Sequence, residues 1–315
     1  MKLTLFLISI CVLISCNSSE KKKNTNEKPV QAMISSPDYE AISLLGDTLY
    51  SQPPATTVVA KYTEKKEAFD KDPSVENYIW YGRFKAYLGK YNEAIDIYTK
   101  AIESFPNDAR LYRHRGHRYI SIRKFNKAIT DLNKAAELIE GTENRVEPDG
   151  MPNAMNIPVS TLHGNIYYHL GLAHYLNQDM EAALAAYKKC LETSNNPDNM
   201  VSSTHWIYMI LRRLGREEEA KSYLKPITAD LKVIENSAYH KACLFYKGEL
   251  QLSDINSEEE KDSSSNAALN YAIGNWLYYT GEPTRARVIF EDMVARDDWA
   301  AFGHIAAESD LKHNY

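Results

Sequence analysis

The chain has 315 residues, of which 44% are hydrophobic and 25% charged, with only 13 glycines and 12 prolines. This is an ordinary globular composition, and it excludes wholesale disorder, a collagen-like repeat and a membrane protein with many spans. The 37 basic and 42 acidic residues give a net charge of -5 at pH 7. The chain as a whole is therefore not positively charged, and we expect no nucleic-acid partner.

Residues 1–15 are typical of a secretory signal, because Lys2 is followed by an apolar run that is too short to span a bilayer permanently. The sequence LISC at 13–16 resembles the lipobox of bacterial lipoproteins. This resemblance implies that Cys16 becomes the lipidated first residue of the mature chain, and that Asn17 directs it to the outer rather than the inner membrane. We therefore expect a protein of the bacterial cell envelope, held on a membrane by its lipid.

Residues 16–36 are polar and lack apolar periodicity, which predicts a flexible tether. The body that follows, 37–315, contains two cysteines, Cys190 and Cys243. Both lie in apolar helical runs, which favours buried free thiols over a disulfide.

The body contains a helical repeat. An aromatic residue, a Gly at position eight, an Ala at position twenty and a small residue at position twenty-seven recur with a period of 34 residues. In the first two units they are Tyr78, Gly82, Ala94 and Ala101, then Tyr112, Gly116, Ala128 and Ala135. This pattern resembles the tetratricopeptide repeat (TPR), in which two helices approach closely at the small residues. One such hairpin cannot bury its large residues alone, so the units must stack.

We therefore predict an all-α fold, a TPR-type α-solenoid of about seven helix hairpins with a C-terminal capping helix. The repeats are placed at 75–108, 109–142, 164–197, 201–234 and 267–300. The gaps between them predict an insertion at 142–163 and a degenerate hairpin at 235–266. Upstream, 41–74 has the length of one more helix pair. Downstream, an apolar stripe between Trp299 and Leu311 predicts the capping helix.

The insertion at 142–163 contains three prolines, which exclude a continuous helix. Its apolar residues, among them Met151, Met155 and Ile157, are too many for a free linker. We expect the insertion to lie over the groove beside the second and third repeats and to narrow it.

A TPR stack attached to a lipobox resembles the NlpI-type bacterial lipoproteins, and residues 270–281 support this resemblance best. It implies an outer-membrane adaptor for periplasmic proteases and cell-wall hydrolases. Over 41–311, with RHRGHR at 113–118 and EPDG at 147–150, the chain is also similar to a widespread group of TPR proteins without an assigned activity.

In TPR proteins the first helix of each pair lines the concave groove, and here those positions combine arginine with tyrosine. Guanidinium groups bind carboxylates bidentately and aromatic rings supply contact area, so this combination favours an extended peptide. The cluster of Arg110, Arg113 and His117 favours an acidic segment or a free C-terminus. An arginine or tyrosine at such a position can equally bond a neighbouring repeat, and that alternative stays open. The predicted partner-binding residues are Arg83, Tyr87, Arg110, Arg113, His117, Tyr168, Tyr175, His205, Arg212, Arg213, Tyr271 and Asn275.

The sequence contains no phosphate-binding glycine loop and no GxSxG, CxxC or HExxH motif. His114 and His117 share a helix face, but zinc needs three or four converging ligands. We therefore predict no metal site, no cofactor and no enzyme activity.

Three hypotheses for function follow. The first is a membrane-anchored TPR scaffold or adaptor that binds peptides or protein partners in its concave groove. The alternative is a small-ligand receptor or enzyme whose pocket, closed by the insertion, contains His117, His163 and His169. The third is a homodimer formed through the tyrosine-rich ends.

Overall fold

The computed structural model describes residues 39–255 and 263–315. The predicted signal peptide, Cys16 and the tether 16–36 lie outside the described residues, as does the stretch 256–262 of the predicted degenerate hairpin. The described residues form thirteen α-helices, a two-stranded β-hairpin and one short 3-10 helix. Among these helices, none is both long and apolar enough to cross a membrane.

The strands are β1 (Ala41–Ile42) and β2 (Thr48–Leu49). The helices are α1 (Thr56–Lys71), α2 (Val75–Tyr87), α3 (Tyr91–Ser104), α4 (Ala109–Ser121), α5 (Phe125–Leu138), α6 (Leu162–Leu176), α7 (Met180–Glu192), α8 (Pro197–Arg213), α9 (Glu217–Leu224), α10 (Ser237–Lys247), α11 (Ser263–Tyr279), α12 (Pro283–Val294) and α13 (Phe302–Asn314). The predicted all-α fold class is confirmed.

The helices pair as α2–α3, α4–α5, α6–α7, α8–α9 and α11–α12. In four of these pairs a glycine of the first helix faces a large side chain of the second. A Cβ on Gly82 would lie 2.5 Å from the Tyr98 ring, and one on Gly171 would lie 2.6 Å from the Tyr187 ring. Because only glycine leaves room for these rings, the repeat requires it at this position.

The region of the predicted degenerate hairpin contains, in its described part, one α-helix and the 3-10 helix at Leu252–Asp254. Helix α10 packs between α8 and α11, so a single helix continues the stack at this point. Within the described residues there are thus five complete hairpins, together with the unpaired helices α1, α10 and α13.

The N-terminal pair differs from the prediction, because a β-hairpin stands where a first helix was expected. Gly46 turns the hairpin with φ +103°, and Pro53 and Pro54 lack the N–H groups that a helix needs. Only α1 remains of the predicted pair. The hairpin region is held on α3 by Asn92, whose Nδ2 donates to the Glu40 carbonyl at 2.7 Å.

Helix α13 packs against α11 and α12, as expected of a capping helix, and it also contacts α6. Arg123, between α4 and α5, donates from Nη2 to Glu308 Oε2 at 2.7 Å. Trp299, just before α13, donates from its indole nitrogen to the Tyr50 carbonyl at 2.8 Å. The first and last elements of the described body therefore contact each other.

The turn inside each helix pair contains one residue with positive φ. Glycine fills this place in three pairs, at Gly89, Gly215 and Gly281. Arg123 (φ 61°) and Gln178 (φ 62°) fill it in the other two, where a side chain costs about 1 kcal/mol or more. Both side chains bind α13, because Arg123 pairs with Glu308 and Gln178 Nε2 donates to Ser309 Oγ at 3.0 Å.

Candidate functional site

Four of the predicted groove residues form one hydrogen-bonded cluster around the carboxylate of Asp310, on α13. Arg213 donates from Nη1 to Asp310 Oδ1 at 2.8 Å and from Nε to Asn275 Oδ1 at 2.6 Å. The Tyr271 hydroxyl donates to Asp310 Oδ2 at 2.9 Å, and Tyr175 hydrogen-bonds Tyr271. These positions are therefore not part of an open groove, because the carboxylate at the centre of the cluster, Asp310, belongs to the protein's own α13.

Arg110 and Arg212 are bound by neighbouring groups. Arg110 lies 2.6 Å from Glu76 of the preceding repeat and 2.6 Å from Asp108, which caps its own helix. The Arg212 guanidinium lies over the Tyr279 ring at 4.8 Å. Both arginines therefore bond neighbouring parts of the chain, which is the alternative left open by the sequence.

Tyr168 and His205 pack against α10. His205 is buried and lies parallel to the Tyr246 ring, and burial lowers the pKa of His205 to about 3. The Tyr168 hydroxyl accepts a hydrogen bond from Trp206 Nε1 and shares another with the Tyr239 hydroxyl, both at 2.9 Å. His205 belongs to the core, whereas Tyr168 borders a pocket.

Residues 142–161, which we call the strap, contain no helix. Glu147 fixes the strap, because its carboxylate lies 3.4 Å from Arg113 Nε and 3.1 Å from His114 Nε2. Burial alone would raise the pKa of Glu147, but the Arg113 charge and the His114 hydrogen bond outweigh burial and hold that pKa well below its ordinary value. Burial, and then the Arg113 charge, lowers the pKa of His114 to about 3.

The strap also contacts α2 through two predicted groove residues. Arg83 Nη1 donates to the Pro148 carbonyl at 2.8 Å. Tyr87 lies against Gly150, where a Cβ would meet the Tyr87 hydroxyl oxygen at 2.5 Å. At Arg83 and Tyr87 the strap, rather than a partner, therefore occupies the predicted groove positions.

The other half of the strap is bound beyond α6. Asn153 Nδ2 donates to Glu235 Oε1 at 2.6 Å, just before α10. Asn196 Nδ2, at the start of α8, donates to the Val159 carbonyl at 2.8 Å. With its contacts to α2 at one edge and to the α10 region at the other, the strap crosses the inner face of the stack.

Four apolar side chains of the strap remain in solvent, whereas Val159, near its C-terminal end, is buried. The exposed fractions are 53% for Val146, 50% for Met151, 62% for Met155 and 44% for Ile157. These four residues therefore do not hold the insertion against the body. Polar and charged contacts hold the strap instead, so its apolar residues stay available to other molecules.

A pocket of about 470 Å³ lies between the strap, α4, α6, α8, α10, α11 and the start of α13, and we call it the inner pocket. Five rings line it, those of His117, Tyr168, His169, Tyr239 and Phe302. The centroids of the His117 and His169 rings are 4.3 Å apart. Hydroxyl and amide side chains line it too, namely Ser160, Thr161, Asn165, Asn199, Ser202, Asn236, Ser264 and Ser265.

The two histidines and the cysteine that line the inner pocket are neutral near pH 7. Burial, followed by a nearby arginine charge, lowers the pKa of both His117 and His169 well below the ordinary value. Burial raises the pKa of the Cys190 thiol to about 11, so it stays protonated. His163 does not join them, because it hydrogen-bonds Thr142 at 3.1 Å and is not among the described residues that line the pocket.

This chemistry suits binding better than catalysis, since imidazoles with such low pKa values are weak bases and a protonated thiol is a weak nucleophile. Over 39–255 and 263–315, no group of three or more His, Cys, Asp or Glu side chains could hold a metal ion. Cys190 and Cys243 are both buried and free.

Two parts of the chain match the family model described as tetratricopeptide repeat, at residues 75–108 and 164–197. They comprise α2–α3 and α6–α7, and their bounds equal those of two predicted units. Together with the stacked pairs around them, these repeats make the described body an all-α TPR solenoid. Folds of this class generally serve as scaffolds for protein–protein interaction rather than as enzymes.

The chain is also similar to longer proteins. It is 24% identical over 287 residues to human RNA polymerase II-associated protein 3, which covers 89% of this chain and 37% of that protein. It is 28% identical over 148 residues to the heat shock protein STI1 of Saccharomyces cerevisiae, over 46% of this chain and 21% of that protein. The chain therefore spans only a minor part of the length of these relatives.

Among solved structures, a tetratricopeptide repeat protein from Parabacteroides merdae is similar over 79% of this chain and 92% of that one. Its sequence identity is 18% and its TM-score 0.46.

Sequence analysis did not identify Glu147, Tyr239 or Phe302 as site residues. For Glu147 a signal was available, because the EPDG motif at 147–150 supplies both this carboxylate and the glycine that packs on Tyr87. Tyr239 and Phe302 reach the pocket only through the packing of α10 and α13, which no local pattern indicates.

Proposed function

We propose that the protein is a membrane-anchored TPR scaffold that binds a protein partner through the strap rather than along an open groove. One observation supports this most directly. Buried polar contacts of Glu147 and the hydrogen bond of Asn153 fix the strap, while Met151, Met155 and Ile157 stay in solvent. Apolar side chains presented by a well-held loop are typical of an interaction surface.

The partner surface extends along one edge of the strap. Arg83, Tyr87, Asp149, Met151 and Glu235 line a second cavity there, of about 560 Å³. Its lining combines both charges with apolar side chains, which suits a short segment of a folded partner. Arg83 and Tyr87 are partner contacts in this proposal. Arg110 and Arg113, which were expected to bind an acidic or C-terminal peptide, are instead paired with carboxylates of the chain itself.

The anchor in this proposal is a lipid on Cys16, supported by the lipobox-like sequence at 13–16. Cell fractionation tests it. We expect the wild-type chain in the outer-membrane fraction and a Cys16→Ser variant in the soluble fraction. A Cys16→Ser variant that stays with the membrane as firmly as the wild type would contradict the anchor.

Crosslinking in native cells, followed by affinity purification and mass spectrometry, tests the partner surface. The test variant is Met151→Asn/Met155→Asn/Ile157→Asn, which removes the apolar groups without charge. The control is Val59→Asn/Val288→Asn, because these valines are also exposed, at 42% and 62%, but lie on α1 and α12. We expect the strap variant alone to lose proteins that crosslink to the wild type.

Four results decide between the hypotheses. Equal losses in the strap variant and the control, or none in either, would contradict a partner surface on the strap. A crosslink of the chain to itself that disappears in the strap variant, with a matching fall in mass by sedimentation, would indicate that the strap binds a second copy of the chain. A self-crosslink that persists in the strap variant would indicate the homodimer through the tyrosine-rich ends. A crosslinking amino acid at position 155 that captures a distinct protein, with none captured from position 288, would support the scaffold.

A further inference from the structure

We propose that the inner pocket binds a neutral saccharide. This site adjoins the partner surface, because Glu235 and Ser265 line both cavities and Ser160 and Thr161 belong to the strap. The variants that test it lie outside the strap, so the two proposals are tested independently. The pocket volume of about 470 Å³ lies in the range of small-molecule sites in proteins. The charge, hydrogen-bonding groups and rings of the wall define the ligand class.

The charge of the wall excludes an anionic ligand. Among the described residues that line the pocket, none is Lys or Arg, and Glu235 is the single acidic residue. His117 and His169 are uncharged near pH 7 for the reasons given above. A carboxylate or phosphate in the pocket would lose its water without an arginine or lysine in the wall to bind it directly, which is unfavourable.

Two hydrogen-bond donors in the wall have no acceptor among the described residues. Tyr168 and Tyr239 share one hydrogen bond between their hydroxyl groups, so one of their two protons is not used in it. Asn199 also lines the pocket, and its Nδ2 is buried without a hydrogen-bond partner among the described residues. A ligand with oxygen acceptors satisfies both groups.

The wall also has an acceptor. His169 Nδ1 lies 2.6 Å from the Asn165 carbonyl, and since a carbonyl only accepts, Nδ1 carries the proton. In the neutral ring the lone pair is therefore on Nε2. No hydrogen bond occupies this atom in the part of the chain that the structure describes. A hydroxyl group can donate to it, and a sugar offers donors and acceptors together.

Rings surround these polar groups. The rings of His117, His169 and Phe302 pack against one another, with centroid distances of 4.3 Å, 5.3 Å and 5.7 Å. Aromatic surface interleaved with hydroxyl and amide groups matches a pyranose, which has apolar C–H faces and polar edges. An extended peptide fits less well, because residues 300–303, at the junction with α13, form part of the wall.

Titration calorimetry and saturation-transfer NMR on the purified full-length chain test the proposal. The probes are N-acetylglucosamine, diacetylchitobiose and cellobiose, with glucuronate as an anionic comparison and acetyl-alanyl-alanine amide as a neutral peptide. We expect saturable binding of at least one neutral saccharide and much weaker binding of the other two compounds.

Two variants connect such binding to the inner pocket. Tyr239→Phe removes one hydroxyl with almost no change in volume and should weaken binding roughly fivefold. Asn199→Leu replaces an amide by an apolar group of similar size and should weaken binding roughly tenfold. The control is Asn126→Leu, which makes the same change at an exposed position in the first turn of α5. Circular dichroism and thermal melting establish that each variant is folded.

The proposal is overturned if no neutral saccharide binds the wild-type chain, or if Tyr239→Phe binds like the wild type while Asn199→Leu and Asn126→Leu behave alike. Tighter binding of the neutral peptide, reduced by the same two variants, would overturn the ligand class and assign the pocket to a peptide. None of these results depends on the strap surface, because the purified chain is tested without a partner.

Discussion

The guanidinium of Arg123 and the carboxylate of Glu308 form a bidentate ion pair across 185 residues of sequence, with Nε–Oε1 3.1 Å and Nη2–Oε2 2.7 Å. The two side chains are only 2% and 1% exposed. The Leu44 backbone N–H also donates to Glu308. One carboxylate thus joins the second repeat, the C-terminal helix and the N-terminal hairpin.

Glu308→Gln should destabilise the fold strongly. The substitution keeps the size of the side chain but leaves the Arg123 charge buried without its counter-ion, which typically costs about 3–5 kcal/mol. Urea unfolding followed by circular dichroism measures the change in the free energy of unfolding.

The control is Glu291→Gln, which breaks the surface pair of Glu291 with Arg287, whose N–O distance is 2.8 Å. Exposed pairs of this kind contribute about 1 kcal/mol or less. If the Glu308 and Glu291 variants lost equally little stability, the buried pair would not hold α13 in place.

Acidification should begin to destabilise the fold at pH values well above the pKa of an ordinary carboxyl group. Burial lowers the pKa of His114 and His205 to about 3, and lowers the pKa of His117 and His169 as well. The unfolded chain binds protons at these residues near pH 6.5, where the folded chain does not. Stability is therefore expected to fall as pH drops from about 6.5 towards 3. Glu147 adds to this loss below its ordinary pKa, because its folded-state pKa is also lowered.

The urea midpoint measured from about pH 7 to about pH 4 gives this dependence. His205→Phe removes one of the four histidines from a site already surrounded by rings. This variant should reduce the slope of the free energy of unfolding against pH by up to about 1.4 kcal/mol per pH unit. A midpoint that does not change over this range would contradict neutral histidines in the folded state.

Gly171→Ala should destabilise the third repeat. On an open helix this change stabilises by about 1 kcal/mol. Here the added Cβ would lie 2.6 Å from the Tyr187 ring, so the helices must separate, and we expect a net loss of about 1–3 kcal/mol. A double-mutant cycle with Tyr187→Leu provides the control, because a smaller side chain at 187 should remove most of the loss. Strictly additive effects would show that the contact is not responsible.

Glu147→Gln should release the strap. Arg145 is an exposed trypsin site within it, and the wild-type strap should resist cleavage there because the contacts of Glu147 with Arg113 and His114 hold it. Weakening the buried charge contact should speed cleavage roughly tenfold or more, since local opening then costs less. Mass spectrometry of timed digests gives the rate.

Glu143→Gln is the matched control, because Glu143 is an exposed neighbour on the same segment. Equal rates for the two variants would mean that Glu147 does not hold the strap. Immediate cleavage of the wild type at Arg145, with the rest of the chain intact, would mean that the strap is not held at all.

The sequence was sufficient to predict the helix pairs because their determinants are local. A glycine and the large side chain that packs on it, such as Gly82 and Tyr98, lie 16 residues apart within one unit, so a fixed spacing reports the contact. The N-terminal hairpin was missed because the length of 41–74 was weighed more heavily than Gly46, Pro53 and Pro54.

The docking of α13 could not be predicted in the same way. Arg123 and Glu308 are too far apart in sequence for any periodicity to connect them. A weaker signal did exist, because Arg123 and Gln178 stand in turns where other pairs have glycine, and a strained side chain at such a place indicates a contact elsewhere. The sequence therefore could not show that α13 covers several of the candidate groove residues.

The contact between the first and last elements changes how the body should respond to mechanical tension. A linear repeat array pulled at one end can unravel unit by unit, because each repeat contacts only its neighbours. Here tension applied at residue 39 reaches the β-hairpin, which is hydrogen-bonded to Trp299 and Glu308. The N-terminal repeats cannot peel away until those distant contacts rupture, so the body should resist pulling as one cooperative unit.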